Sequence, residues 1–291
     1  PYLSMTVLNP GQEPQYLRCD LEEGAIACRG PYLRVGEGII TESARAICFD
    51  IPFPGRGYFR GEINKLAPPL VIQDGILYEE PETGRASHWI VQIPHATFTG
   101  ILELDGVTHR LRGTAYQDHQ WGTVLIQDFV SDWVWGHFSN DQVAVVFFLI
   151  LTQRGRLVER VALLNGEGRY IGTAMKSGYL STLFQANRLE EFDANVDVSF
   201  LNNYFQLEFE VSPTNLMRSR INEELNQNVA SYVRWSAAAS LQAGCGSQPL
   251  HGISEYIRIR PIIYGSHNKS KHHQHHIRHH DGDNIGDRLA L

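Results

Sequence analysis

The chain has 291 residues, 43% hydrophobic and 20% charged, with a formal net charge of −7. That length suits two ordinary domains or one large β-domain with a real core. The negative balance excludes a wholesale electrostatic grip on nucleic acid, which needs a basic face. The longest apolar run, Val143 to Leu151, is too short to cross a bilayer as a helix.

The opening "PYLSMTVLNPGQ" shows no basic stretch followed by an apolar one, so no secretory leader is expected. Cys19, Cys28, Cys48 and Cys245 show no C-x-x-C spacing. They do not read as a disulfide framework or a structural zinc site, and a reducing cytoplasmic compartment is expected.

From "YLRVGEGIITES" onward, short runs rich in β-branched and aromatic residues alternate with Gly, Asn, Asp and Pro. The series continues through "ARAICFDIPF", "SHWIVQIPHATFTGILEL", "VTHRLRGTAYQ", "WVWGHF", "QVAVVFFLILT" and "LVERVALLN". It resumes with "VDVSFLNNYFQLEFEVSP" and closes with "ISEYIRIRPIIY". Evenly spaced strands with little helical periodicity predict an all-β protein of antiparallel sandwiches or barrels. "ELDGVTHRL" predicts a hairpin turning at Asp105-Gly106, and "SNDQV" and "LNGEGRY" read as further tight connections. One helix is expected, over "SPTNLMRSRINEELNQ", with Ser212 as N-cap and Pro213 as first residue. After Tyr264 the chain turns polar, with six histidines within Lys271–His280, and reads as a flexible tail able to hold Zn²⁺ or Ni²⁺ only loosely.

The segment "TAYQDHQWGTVLIQDFVSDWVWGHF", Thr114 to Phe138, concentrates Trp, His and Asp in a β-like setting. Side chains alternate faces along a strand. An extended Thr114–Trp121 places Gln117, His119 and Trp121 on one face and Tyr116, Asp118 and Gln120 on the other. An extended Trp133–Phe138 places Trp133, Trp135 and His137 together. One surface carrying three indoles and two imidazoles is therefore expected, an apolar wall with a few polar tips of the kind that lines a small-molecule pocket. An indole face stabilises a developing carbocation, and a carboxylic acid in apolar surroundings keeps its proton and can donate it. Asp118 beside His119 supplies an acid and a group to orient it, provided a bulge or a bend near Gly122 brings them to one centre. Packing alone is the competing reading, since tryptophans are largely buried in any case.

"GTAYQDHQWG", with "DWVWGHF" close behind, resembles the G-x-x-Y-x-D-H-x-W-G signature of the carotenoid 1,2-hydratase (hydroxyneurosporene synthase) family. "YLRVGEGII", "SHWIVQIPHATFTGILELDGVTHRLRG" and "GISEYIRI" with Glu255 extend the likeness over about residues 30–260. The resemblance implies two β-domains, at least one lipocalin-like, with a hydrophobic pocket near their interface. The expected division is an N-terminal domain 1–127, a C-terminal lipocalin-like domain 128–264 and a tail 265–291.

The resemblance also implies roles for Asp118, His119 and Trp121 as catalytic residues, and the aromatic wall makes Tyr116, Trp133, Trp135, His137 and Phe148 the expected substrate-binding ones. It implies a small hydrophobic substrate, no cofactor and no metal. Hydratases of the family carry a Tyr-x-Asp pair about thirty residues further on. Here "DQVAVVFFLIL" offers neither acid nor phenol after Asp141. That departure favours a cofactor-independent cyclase or isomerase like the natural-product Diels–Alderases of related architecture, which needs shape and a dry wall rather than a strong acid. A hydratase using Asp118, with Asp128 or Asp132 as replacement partner, is the alternative. A lipocalin-type carrier is the third reading.

Overall fold

A computed structural model describes residues 2–8, 15–124, 126–165, 196–201, 205–218, 229–243 and 246–259. Two eight-stranded antiparallel sheets account for nearly all of it. The first contains β3 (Ile26–Arg29), β4 (Tyr32–Val35), β5 (Gly38–Glu42), β6 (Ala46–Phe53), β7 (Gly57–Lys65), β8 (Ile76–Glu79), β9 (Ala86–Leu104) and β10 (Val107–Gly122). Its order is β10-β9-β7-β6-β5-β4-β3, with β8 added on β9. The hairpin β1 (Tyr2–Val7) with β2 (Gln15–Asp20) packs Leu17 into this sheet's core of Ile47, Phe49, Ile51 and Leu102.

The second sheet contains β11 (Val130–Ser139), β12 (Val143–Thr152), β13 (Leu157–Asn165), β14 (Val196–Leu201), β15 (Phe205–Val211), β16 (Leu216–Arg218), β17 (Val229–Ala243) and β18 (Gly246–Ile259). The order is β13-β12-β11-β18-β17-β15-β14, with β16 on β17. This sheet curls on itself. Phe138 of β11 and Phe209 of β15, three strands apart, meet with ring centroids 4.6 Å apart. The curled inner face is filled by Val134, Phe147, Leu149, Leu207, Trp235 and Tyr256.

The Asp105-Gly106 hairpin forms as expected. Both residues adopt positive φ, 51° and 81°, the conformation a two-residue turn between twisted strands requires. The Asp105 carboxylate is also gripped by Arg56 through two hydrogen bonds of 2.6 and 2.9 Å. The expected helix after Ser212 is corrected in its described part. Pro213–Asn215 make a single 3-10 turn, and Leu216–Arg218 then pair with Trp235, Arg234 and Val233 of β17. Sheet pairing outweighs a helical pattern whose apolar face is patchy. The rest of that segment, "LNGEGRY" from position 166 onward and the His-rich tail lie outside the described residues.

Between β10 and β11 the chain makes one helical turn, Ile126–Phe129, and crosses from the first sheet to the second. A continuous apolar cluster spans the seam. It joins Trp89 and Val91 of β9 and Leu70, Ile72 and Leu77 to Trp133, Trp135, Val146, Phe148 and Ile150 of the second sheet's outer face. Among the described residues no helix is long and apolar enough to cross a membrane.

Candidate functional site

Strand β9 is the element that shapes the seam. Its burial alternates strictly from Ala86 to Ile93, then four consecutive residues, Ile93–Ala96, are buried. The break is a double register shift against β10: Ala115 faces Ala96, Gln117 faces Ile93 and Asp118 faces Val91. The extra residues lie on β9, and Pro94 sits among them, where the missing N–H costs no ladder bond. The bulge aims one backbone carbonyl and one imidazole across the seam. Pro94 O accepts the Nε2–H of His137 at 3.1 Å, and the Nε2–H of His95 donates to Asn140 O at 2.7 Å. Asn140 caps the β11–β12 turn by accepting from the backbone N–H groups of Gln142 and Val143.

Asp118 projects toward this seam. Its Oδ2 accepts hydrogen bonds from the Tyr116 hydroxyl and the Trp89 indole N–H, each 2.9 Å. No described protein group donates to its Oδ1. Burial raises the Asp118 carboxyl above the usual aspartate range, and the negative charge of Glu255 pushes it the same way. The two donors and Arg234 oppose the rise without cancelling it. Burial, then the Asp118 charge, drives the Tyr116 phenol well above its ordinary value. The Tyr116 ring rests on Trp135 and His137, with centroids 5.1 and 4.9 Å away. The Trp135 indole nitrogen comes near enough to the phenol to temper that rise but stays outside hydrogen-bonding geometry.

The second sheet supplies a matching group. Glu255 of β18 is paired in register with both Trp135 of β11 and Arg234 of β17. Its Oε2 accepts from the Tyr232 hydroxyl at 2.9 Å and from Arg234 Nη2 at 2.6 Å. Arg234 also donates to the Tyr232 hydroxyl. The remaining wall is aromatic. Trp89 meets Phe148 edge-on at 4.9 Å, and Trp133 lies along Phe148 at 6.1 Å. The indole N–H groups of Trp133 and Trp135 are buried with no acceptor among the described residues.

The seam thus gathers Tyr116, Asp118, Trp133, Trp135, His137 and Phe148, although the strand reading had set Tyr116 and Asp118 on the face away from Trp133, Trp135 and His137. It does not gather His119 and Trp121. The expectation that these two share a surface with Trp133, Trp135 and His137 is corrected: strand alternation puts Tyr116 and Asp118 inward and His119 and Trp121 on the opposite face. There Trp121, 41% exposed, is sandwiched between His88 and His119 at centroid distances of 5.0 and 5.1 Å.

Neither replacement partner reaches the seam. Asp128 is exposed. Asp132 is held on the curled sheet's inner side by Tyr256, by Arg258 at 2.8 Å and by Ser131 at 2.7 Å. The third indole comes instead from Trp89, and the second acid is Glu255 with its Tyr232–Arg234 clamp. Sequence reasoning missed Trp89, Tyr232 and Arg234. The i, i+2 spacing in "SYVRW" was the one signal for the clamp. Among the described residues no three His, Cys, Asp or Glu side chains are grouped to hold a metal ion.

Comparison with known proteins agrees with this architecture. A Chlorobaculum tepidum protein named hydroxyneurosporene dehydrogenase is 24% identical over 183 residues, covering 60% of this chain and 45% of that protein. The chain is similar in sequence to that protein. It spans less than half the length of that curated relative. Kievitone hydratase from Nectria haematococca superposes with a TM-score of 0.56 at 10% identity, over 89% of this chain and 84% of that one. CghA superposes with a TM-score of 0.55 at 11% identity, over 85% and 76%. The shared fold is the all-β, two-sheet, lipocalin-like architecture. No protein-family model matches the chain.

Proposed function

We propose that the protein is a cofactor-independent enzyme that protonates a carbon–carbon double bond of a lipophilic, isoprenoid-like substrate and adds water to the resulting cation. The two sheets are the two domains, 1–127 and 128–264, and the substrate lies between them. One observation carries the reading: a half-buried carboxyl, Asp118, is fixed through one oxygen by Trp89 and Tyr116, and its other oxygen has no partner among the described residues, beside an indole wall. Burial favours the protonated acid, which is what proton donation to an unactivated alkene needs. Indole faces then stabilise positive charge where water is scarce. The resemblance to carotenoid hydratases points the same way. The missing Tyr-x-Asp pair loses its weight against hydration, because Glu255 brings a second carboxylate to the seam from a different strand.

A second reading rests on Trp133 and Trp135. Two buried N–H donors without acceptors among the described residues suit a polyene bearing a carbonyl, held for cyclisation without proton transfer. One experiment separates the two. The protein is incubated with an acyclic carotene carrying a terminal isoprenoid double bond, and with a carbonyl-bearing polyene, in ¹⁸O-labelled water. Labelled alcohol that disappears in Asp118→Asn supports hydration. An isomer of unchanged mass whose formation survives Asp118→Asn supports cyclisation. Binding without product supports a carrier.

A further inference from the structure

Glu255 is buried, with its side chain 11% exposed, and its hydrogen bonds all fall on one oxygen. Tyr232 and Arg234 both donate to Oε2, and no described protein group donates to Oε1. Asp118, across the seam, shows the same asymmetry, with Oδ2 clamped and no described protein group on Oδ1. Both free oxygens stay accessible rather than sealed in the core, whereas the structural carboxylate Asp132 spends both of its oxygens on protein donors, Tyr256 and Arg258 on Oδ1 and Ser131 on Oδ2. The charges are also unequal. The described residues around the two carboxyls supply one guanidinium, Arg234, which ion-pairs with Glu255, while Asp118 adjoins them through Tyr116, whose ring rests on Trp135, the register partner of Glu255. Two ionised carboxylates would leave a net negative charge in the seam, and one proton removes it. The groups of the seam are Asp118, Tyr116 and His95 on the first sheet and His137, Glu255, Tyr232 and Arg234 on the second.

We infer that Asp118 and Glu255 are one proton-transfer pair spanning the two sheets, with Asp118 the donor to carbon and Glu255 the acceptor from water. Arg234 and Tyr232 are positioning residues that hold Glu255 as the acceptor. The assignment rests on the hydration reading and deepens it. The Asp118 proton goes to one alkene carbon, and the π electrons form the new C–H bond. The neighbouring carbon becomes cationic, a water oxygen lone pair forms the C–O bond, and one water proton passes to Glu255 Oε1. That proton then returns to Asp118. The sum is alkene plus water to alcohol, with both carboxyl groups restored.

The pair is tested without any substrate by infrared titration of the protonated-carboxyl C=O stretch in the wild type, Asp118→Asn and Glu255→Gln. The band is expected to vanish in Asp118→Asn and to persist in Glu255→Gln with a lower titration midpoint, because the neighbouring negative charge is gone. The acyclic carotene in D₂O supplies the second arm. Glu255→Gln is expected to lose hydration by about 100-fold or more while still exchanging deuterium into the recovered alkene, since protonation survives and water capture does not. An unmoved midpoint, or hydration at the wild-type rate in Glu255→Gln, overturns the pair. Should the wild type leave the carotene untouched, the hydration reading falls, and the infrared arm alone decides whether the two carboxyls share a proton. If Glu255→Gln does not fold, Glu255→Asp keeps the charge and shortens the reach by one methylene. Hydration lost with exchange retained then supports the pair, and hydration unchanged overturns it.

Discussion

The Tyr116 hydroxyl lies 2.9 Å from Oδ2 of Asp118, two residues further along the same strand. Residues at this spacing point the same way, so the contact is written into the strand once β10 is straight at this point. The pairing makes Asp118 an acid held at a fixed angle, at a cost to the fold. Burial raises its folded-state carboxyl above the unfolded value, so the native state binds more protons than the unfolded one. Stability therefore falls as pH rises through that window and is regained as pH falls below the unfolded value. Asp118→Asn keeps an acceptor for Trp89 and Tyr116 and removes the penalty. Its Tm is expected to exceed the wild type's at pH 7, with the gap closing in acid, while turnover drops by about 10²–10⁴-fold. Thermal melts at pH 7 and at pH 3.5, paired with product assays, check both halves. A lower Tm at pH 7 would mean the carboxylate is favourably bound.

The two faces of β10 make opposite predictions. Trp89→Phe keeps a ring against Phe148 and deletes one donor to Asp118. The loss of one hydrogen bond, about 1 kcal/mol, slows turnover by roughly five- to tenfold if it is felt at the transition state. Trp121→Ala and His119→Ala act on the outer stack with His88. Changes at such a site stay within about 0.5 kcal/mol of stability and are expected to leave turnover within about threefold. Initial rates of the three variants on the same polyene decide it. Strong loss in Trp121→Ala with little in Trp89→Phe would reverse the assignment of faces.

Which face each residue of β10 takes was legible from alternation; which face looks into the seam was not. That depends on the β9 bulge at Pro94–His95, which no hydrophobic pattern announces, although a proline inside a run of strand residues is a hint of one. The all-β class and the Asp105-Gly106 turn were legible because both rest on local chemistry, β-branched runs and a left-handed dipeptide. The helix after Ser212 was misread because pairing with β17 is a long-range term absent from any window. Glu255 lies 137 positions beyond Asp118 in the sequence. Its place in the site follows from sheet order β11-β18-β17, and only the family resemblance singled it out beforehand.

His137 makes the seam acid-sensitive. Its ring is buried, donates to Pro94 O and packs against Tyr116. Burial, with His95 nearby adding a like-charge penalty, lowers it from 6.5 to about 4. His95, 0% exposed, is lowered too, chiefly by burial. For a base depressed in this way the unfolded state binds more protons between pH 4 and 6.5. Stability is complete above about 6.5 and is lost as pH falls toward 4, by about 3 kcal/mol for His137 alone. Urea unfolding across pH 4–7.5 is expected to show this slope, and His137→Gln to flatten it while leaving the part due to His95. An unchanged slope in His137→Gln would show that the ring is not the sensor.

Gly136 ties the core to the site. It stands between Trp135 and His137 on β11, opposite Phe147 of β12, and its backbone is ordinary strand. Space is the constraint: an added Cβ would come within 2.3 Å of the Phe147 Cζ and 2.6 Å of its Cε1. The phenyl ring lies over the glycine, covering the strand where no side chain can be. Gly136→Ala must push Phe147 off or lift β11, at about 1–3 kcal/mol. Lifting β11 moves Trp135 and His137 with it, so activity is expected to fall further than stability. Phe147→Leu should relieve the clash, and the double variant is expected to be more stable than the sum of the two singles predicts. Additive effects in that cycle would remove the contact from the account and leave β11 to be positioned by its hydrogen-bond partners β12 and β18 alone.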